Sequence, residues 1–463
     1  MASTMKQKEK QDYSLLLPLP ATIPAPESRK SSPPWCNARV AFCLSSALAL
    51  AALALLACQC ATTTGWLTRP LTPTQDASSS SVILYAASYS GSIFTLNLTK
   101  SADASYTLAT QQPYDGCKPS PSWLTLDYPN SVLYCTDEGL SSDHGSVSAF
   151  DVSEDGSSLS LADRINVVSG PVSAVTYGHR GLSLAVAQYG GSSITWLTIS
   201  NHTGLSRPTT KTFNLPEPGP VPSRQEAPHP HQVFLDPTGR FILVPDLGAD
   251  LVRVFSIGSD GIDLTEVDPL VAAPGSGPRH VDFFEAADGS IYMYLITELA
   301  NTITGYRVSY PTDVAMHFDR FFQIPSHGAG NQVPDGAAAA EITISPDRRF
   351  LTVSSRNEKS FAIPDPDSSP PEEQDPEPVD SDSLITYAID PHTGALAFLQ
   401  KSPAGGLIPR HFAFNKAGTL VAVALQQDGR VAILERDVVT GQMRDIIASV
   451  RLEGEVTAVV FYE

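Results

Sequence analysis

One pattern recurs along this chain: a short strand entered through Pro or Ala, a tight turn, a second strand, a polar loop and a third strand. It reads "PSWLTLDYPNSVLYCTDEGLSSDHGSVSAFDV" (121–152), then "PVSAVTYGHRGLSLAVAQYGGSSITWLTI" (171–199) and "APHPHQVFLDPTGRFILVPDLGADLVRVFSI" (227–257). It returns in "PRHVDFFEAADGSIYMYLITELANTITGYRV" (278–308), "AAEITISPDRRFLTVSSRNEKSFAI" (339–363) and "PRHFAFNKAGTLVAVALQQDGRVAILE" (409–435). Alternating apolar residues rich in β-branched and aromatic types favour strands over helices. Asp-Gly, Thr-Gly and Ala-Gly corners supply the backbone freedom that tight turns need. The units begin at Pro121, Pro171, Pro230, Pro278, Ala339 and Pro409. All-β units at such a period stack radially, which covers their exposed edges. A seventh unit is split between "SVILYAASYSGSIFTLNLT" (81–99) and "EVTAVVFYE" (455–463), so the last strand would close the ring onto the first blade. The expectation is an all-β, seven-bladed β-propeller over 81–463, one domain despite the chain's 463 residues.

The first 80 residues have a different character. Residues 1–39 are rich in Pro and Ser without periodicity, which predicts a disordered tail. Residues 40–61, "VAFCLSSALALAALALLACQCA", are apolar, and no charge occurs from Val40 to Thr68. About 20 apolar residues suffice to cross a bilayer. Arg29, Lys30 and Arg39 precede the stretch, which puts the tail in the cytoplasm. The reading is a single-pass membrane anchor at 40–61, a linker at 62–80, and a propeller on the lumenal or extracellular side. A cleaved signal peptide, and hence a secreted propeller, is the rival. The sequons at Asn97 and Asn201 agree with either.

A net charge of −19 argues against nucleic acid as a partner. Of the six cysteines only Cys117 and Cys135 fall within the propeller, where a disulfide and a buried thiol are both open readings. No Cys or His spacing suggests zinc, and no cofactor is implied. The acidic stretch 364–382, "PDPDSSPPEEQDPEPVDSD", interrupts the sixth blade between its second and third strands and reads as a disordered loop on the mouth face.

In a propeller, the loop entering each blade's first strand and the corner after its second strand emerge on one face, around the central channel. Entering first strands are His229 and His231, Arg279 and His280, Glu341, and Arg410 and His411. At the second-strand corners are Asp246, Glu298 and Arg356. Arginines match carboxylates bidentately. A histidine among arginines is pushed toward its neutral form, which suits His231 to general acid–base work with Glu298 as its partner. His231, Glu298, Arg279 and Arg356 are the candidate catalytic residues, and His229, Glu341 and Arg410 the candidate substrate-binding residues. Asp246 reads as a loop tie, and His280 and His411 as blade packing.

On these strings the chain resembles the seven-bladed propeller lactonases, a family that includes propeller-type 6-phosphogluconolactonases and fungal carboxy-cis,cis-muconate cyclases. The resemblance covers about 82–463 and rests on "HPHQVFLDPTGRFILVPDLGADLVRVF", "GSGPRHVDFF" with "TELANTITGY", "AAEITISPDRRFLTVSSRN" and "PRHFAFNKAGTLVAVALQQDGRVAIL". It implies a metal-independent lactonase or cycloisomerase site at the channel mouth, built on His231, Arg279, Glu298 and Arg356 and acting on a small carboxylate or lactone. The family's usual Asn-Glu corner here reads Thr297-Glu298. A non-catalytic, membrane-anchored binding module is the alternative, since a fold does not fix a function.

Overall fold

The computed structural model describes residues 80–367 and 377–463. The predicted tail, the anchor at 40–61 and nearly all of the linker lie outside the described residues. Among the described residues no helix is long and apolar enough to cross a membrane.

Seven four-stranded antiparallel sheets form the blades, as the repeat predicts. Blade 5 shows the plan, with an inner strand Pro278–Glu285 followed outward by Ile291–Thr297, Thr302–Thr312 and Ala315–Pro325. Blade 1 is the split one. Its inner strand is the C-terminal Val456–Phe461, paired with Ser80–Ser88 so that Leu84 faces Phe461. Seven apolar clusters lie one between each pair of neighbouring blades. The cluster joining blades 7 and 1 contains Leu84, Leu96, Ala422, Ile433 and Val459. No blade therefore buries its faces alone, and closure of the ring is what completes the core.

The inner strands explain the recurring Pro. They line the channel as sheet edges, so a first residue without an N–H costs no ladder bond. Immediately after it the register slips: between Pro121 and Trp123, Pro171 and Ser173, Pro278 and His280, and Pro409 and His411. A β-bulge of this kind re-aims a side chain. The residues at the slips include Arg279 and Arg410, which is how two arginines come to sit at the rim of an otherwise apolar sheet.

Two features differ from the sequence reading. Phe361–Ile363, which ends the repeat string 339–363, pairs with Val379–Ser381 in a separate hairpin rather than with the sixth sheet. The third strand is Ser383–Ile389, so 364–382 does lie between the second and third strands as the sequence predicts. The acidic insertion accordingly has ordered ends. Asp382 is fully buried and accepts backbone N–H bonds from Asn357, Glu358, Lys359 and Ile408. On the other arm Asp365 and Asp367 bind Arg430 on blade 7.

Candidate functional site

Second strands end beside the starts of first strands: Pro278 faces Thr297, Pro230 faces Asp246 and Ala338 faces Arg356. This register brings side chains from all seven blades to one mouth.

At its centre is Glu298, 3 % exposed. One carboxylate oxygen lies 2.6 Å from Arg224 Nη2. The other lies 3.1 Å from Arg279 Nε and 2.8 Å from Arg356 Nη2. Burial pushes the Glu298 carboxyl up, but Arg356, Arg224 and Arg279 outweigh it and hold the group well below the usual carboxylate range. Glu298 is thus a fixed anion and has no proton to give near neutral pH. Arg356 also donates to the carbonyls of Ala338 and Ala339, which pins its guanidinium.

Arg279 is different. It is 2 % exposed, and its Nε and Nη1 have no hydrogen-bond partner despite the nearby Glu298. Burial, then repulsion from Arg356, lowers its pKa to about 9. It remains a cation at neutral pH, and unsatisfied buried donors of this kind are held for a ligand oxygen or at a cost to stability.

His231 enters blade 4 with its N–H bonded to the Pro245 carbonyl. Its ring meets Tyr189 edge-on at 5.7 Å, and its Nδ1 lies 3.1 Å from His280 Nε2. Burial, then Arg279 and His280, push its pKa well below the ordinary value, so the ring is neutral. His229 stacks on Tyr189 at 4.2 Å, and its ring nitrogens contact the Tyr189 carbonyl and Glu226. Asp246 ties the His229 and Ala249 amides and Arg253.

Arg410 lies in a separate group, with its guanidinium on the Tyr89 hydroxyl and on Glu138, while that hydroxyl also donates to Glu138. Glu341 does not join the arginines. It sits among the histidines, 2.7 Å from His280 Nδ1 and 3.9 Å from His411 Nε2. His280 and His411 both pack edge-on against Trp123, at 5.8 and 4.9 Å, across the channel from it.

Sequence reasoning missed Arg224, Tyr189, Tyr89, Glu138 and Trp123. Four of these were findable, Trp123 among them because it follows the slip of blade 2 as His280 and His411 follow theirs. Tyr89, Glu138 and Tyr189 each follow a second strand, the register position that Glu298 holds in blade 5. Arg224 had no signal, because it lies in the long connection between blades 3 and 4. Among the described residues no group of three or more His, Cys, Asp or Glu side chains could hold a metal ion.

The family described as "Lactonase, 7-bladed beta-propeller" matches residues 82–461. The chain belongs to this family. A protein of Arthroderma benhamiae named "Probable 6-phosphogluconolactonase" is 29% identical over 70% of this chain and 75% of its own length. The 6-phosphogluconolactonase of Bacillus subtilis is 24% identical over 70% of this chain and 82% of its own. Among solved structures, the periplasmic gluconolactonase of Pseudomonas aeruginosa superposes with a TM-score of 0.66 at 24% identity, covering 82% of this chain and 99% of that one. That likeness shows the shared propeller.

Proposed function

We propose that this propeller lactonase hydrolyses a lactone carrying an anionic group, carboxylate or phosphate, at the channel mouth. The observation that carries the reading is the pairing of Arg279, a buried cation with unbonded N–H groups, with a neutral histidine, His231. Arg279 offers donors to the carbonyl oxygen, where negative charge develops. His231 takes a proton from water as the water oxygen attacks the carbonyl carbon. The ring C–O bond then breaks, and the same proton passes to the departing ring oxygen. The product is the hydroxy acid. Glu298 stays ionised throughout and holds Arg224, Arg279 and Arg356 in place. Arg356 and Arg410 orient the substrate's anionic group, which lowers the entropic part of the barrier. The family name and the names of the relatives agree with hydrolysis. The scheme needs no metal, and a chelator should leave the rate unchanged.

The test is turnover of acidic, phosphorylated and neutral lactones, and cyclisation of unsaturated diacids, by the wild type and by Arg279→Ala and His231→Gln. Lactone hydrolysis lost in both variants supports the scheme. Background rates in the wild type would leave the protein a binding module. Cyclisation without hydrolysis would move it to the cycloisomerases.

We further infer that the propeller lies outside the cytosol, anchored through residues 40–61. Two observations support this. Cys117 and Cys135 are joined as a disulfide, a bond that persists in oxidising compartments. Asn201 stands exposed on a turn with positive φ, where a glycan has room. N-terminal sequencing of material from the native host separates anchor from cleaved signal, and a glycosidase-sensitive mass shift lost in Asn201→Gln checks the location.

A further inference from the structure

Beneath the mouth, three titratable side chains from blades 4, 5 and 6 form one line. Glu341 Oε1 lies 2.7 Å from His280 Nδ1, and His280 Nε2 lies 3.1 Å from His231 Nδ1. All three residues are at least nine-tenths buried. Each is held from another direction as well. The Ile342 N–H donates to Glu341 Oε1, Trp123 packs against the His280 ring and Tyr189 against the His231 ring.

The protons on this line can be placed by elimination. Glu341 is ionised: burial pushes its carboxyl up, but His280 and His411 outweigh this and bring it to about 2. A carboxylate only accepts, so the proton of the first contact sits on His280 Nδ1. His280 is neutral, because burial outweighs the attraction of Glu341. Its Nε2 then carries only a lone pair. The second contact therefore takes its proton from His231 Nδ1. His231 is neutral too, which leaves its Nε2 with a lone pair and, among the described residues, no hydrogen-bond partner.

His411 completes the arrangement without competing for the same oxygen. Its Nδ1 accepts the Val459 N–H at 3.3 Å, so its own proton sits on Nε2 and faces the second oxygen of Glu341, 3.9 Å away. That oxygen has no hydrogen bond. The carboxylate thus has a polarised N–H on one side and the histidine line on the other.

We propose that His280 and Glu341 are positioning residues that lock His231 in its Nδ1–H form and so present the Nε2 lone pair at the mouth as the base. The proposal rests on the reading of His231 as the proton acceptor. An unrestrained neutral imidazole in water favours the proton on Nε2, which would close the lone pair that hydrolysis needs. The line also stabilises the imidazolium once His231 has taken the water proton, since its Nδ1–H stays bonded toward Glu341. The orienting carboxylate of a hydrolase triad acts on its histidine by the same logic.

The test is two-bond 1H–15N correlation spectroscopy of the full-length protein, 15N-labelled at histidine, with His231 assigned by its absence in His231→Gln. The expected wild-type spectrum shows His231 protonated on Nδ1. In His280→Phe, which removes the acceptor, the proton moves to Nε2 and kcat falls by about 10² with KM little changed. In His280→Gln, whose amide oxygen can accept from Nδ1, the Nδ1–H form and most of kcat return. A wild-type His231 protonated on Nε2 overturns the proposal, as does an unmoved proton in His280→Phe. The wild-type spectrum decides even where the Phe variant does not fold. The spectra need no turnover, so failure of the histidine line is distinguishable from failure of the lactonase reading, which shows as an inactive wild type.

Discussion

Replacing Arg279 with Met should stabilise this protein while disabling it. Met keeps much of the aliphatic stem and removes the guanidinium. Two N–H groups of Arg279 are buried without hydrogen bonds, and each such group costs about 1–3 kcal/mol. Burial and the neighbouring Arg356 drive its pKa down to about 9 even with Glu298 in contact, so the charged form is held at a net cost of a few kcal/mol. Against that stands the loss of one ion pair, but Glu298 keeps Arg224 and Arg356 at 2.6 and 2.8 Å. The balance is a gain of about 1–3 kcal/mol in unfolding free energy. Losing a preorganised oxyanion donor lowers kcat by about 10²–10³. Urea denaturation at neutral pH followed by Trp fluorescence measures the first quantity, and lactone hydrolysis the second. A loss of about 3 kcal/mol or more would show that Arg279 is a structural tie between blades. Unchanged turnover in Arg279→Met would falsify its catalytic role.

Further outcomes follow from the same geometry. Glu298→Gln leaves three arginines facing one another and should cost about 3–5 kcal/mol. Added phosphate should recover part of this, and no recovery would mean the arginines do not form an anion site. Asp382→Ala orphans four backbone N–H groups and should cost about 3 kcal/mol or more; a neutral effect in thermal or urea unfolding would contradict the burial of the insertion's base. The histidines' contribution to stability should fall on acidification, against that of Asp282, whose carboxyl burial raises to about 7 so that the folded state protonates it first. Burial holds His411 at about 4 and His231 well below its ordinary value, so the unfolded chain takes up protons first. The contribution is complete above about pH 6.5 and is lost as pH drops toward 4, with His411 alone worth on the order of 3 kcal/mol. The same change in urea midpoint between neutral pH and about pH 5 in the wild type and in His411→Phe would refute that assignment.

The blade pattern was legible because strand alternation and turn chemistry are local. Pro278-Arg279-His280 and Pro409-Arg410-His411 marked inner strands, and Glu298 and Arg356 marked the facing corners. Which partners those charges choose is a different matter. Arg279 and Arg410 occupy the same register in blades 5 and 7, yet one shares Glu298 with two other arginines and the other pairs with Glu138 and Tyr89. Glu341, read as a substrate contact, lies in register with His280 and His411 and turns toward them. The acidic run 364–382 looked uniform, yet Asp382 is a buried cap while Asp365 and Asp367 reach across to the neighbouring blade.

By itself, then, the sequence determined the repeating all-β unit, its number, the split blade that closes the ring, and part of the charged rim, Arg279, Glu298, Arg356 and Arg410, but not Arg224 or Glu138. Tertiary structure alone decided the pairings: Arg224 on Glu298, the disulfide, and the line from Glu341 through His280 to His231. The physical reason is range. Alternation and turns depend on neighbours a few residues apart, whereas a contact across the channel joins residues such as Trp123 and His411 from non-adjacent blades, and only closure of the ring sets how far apart they stand.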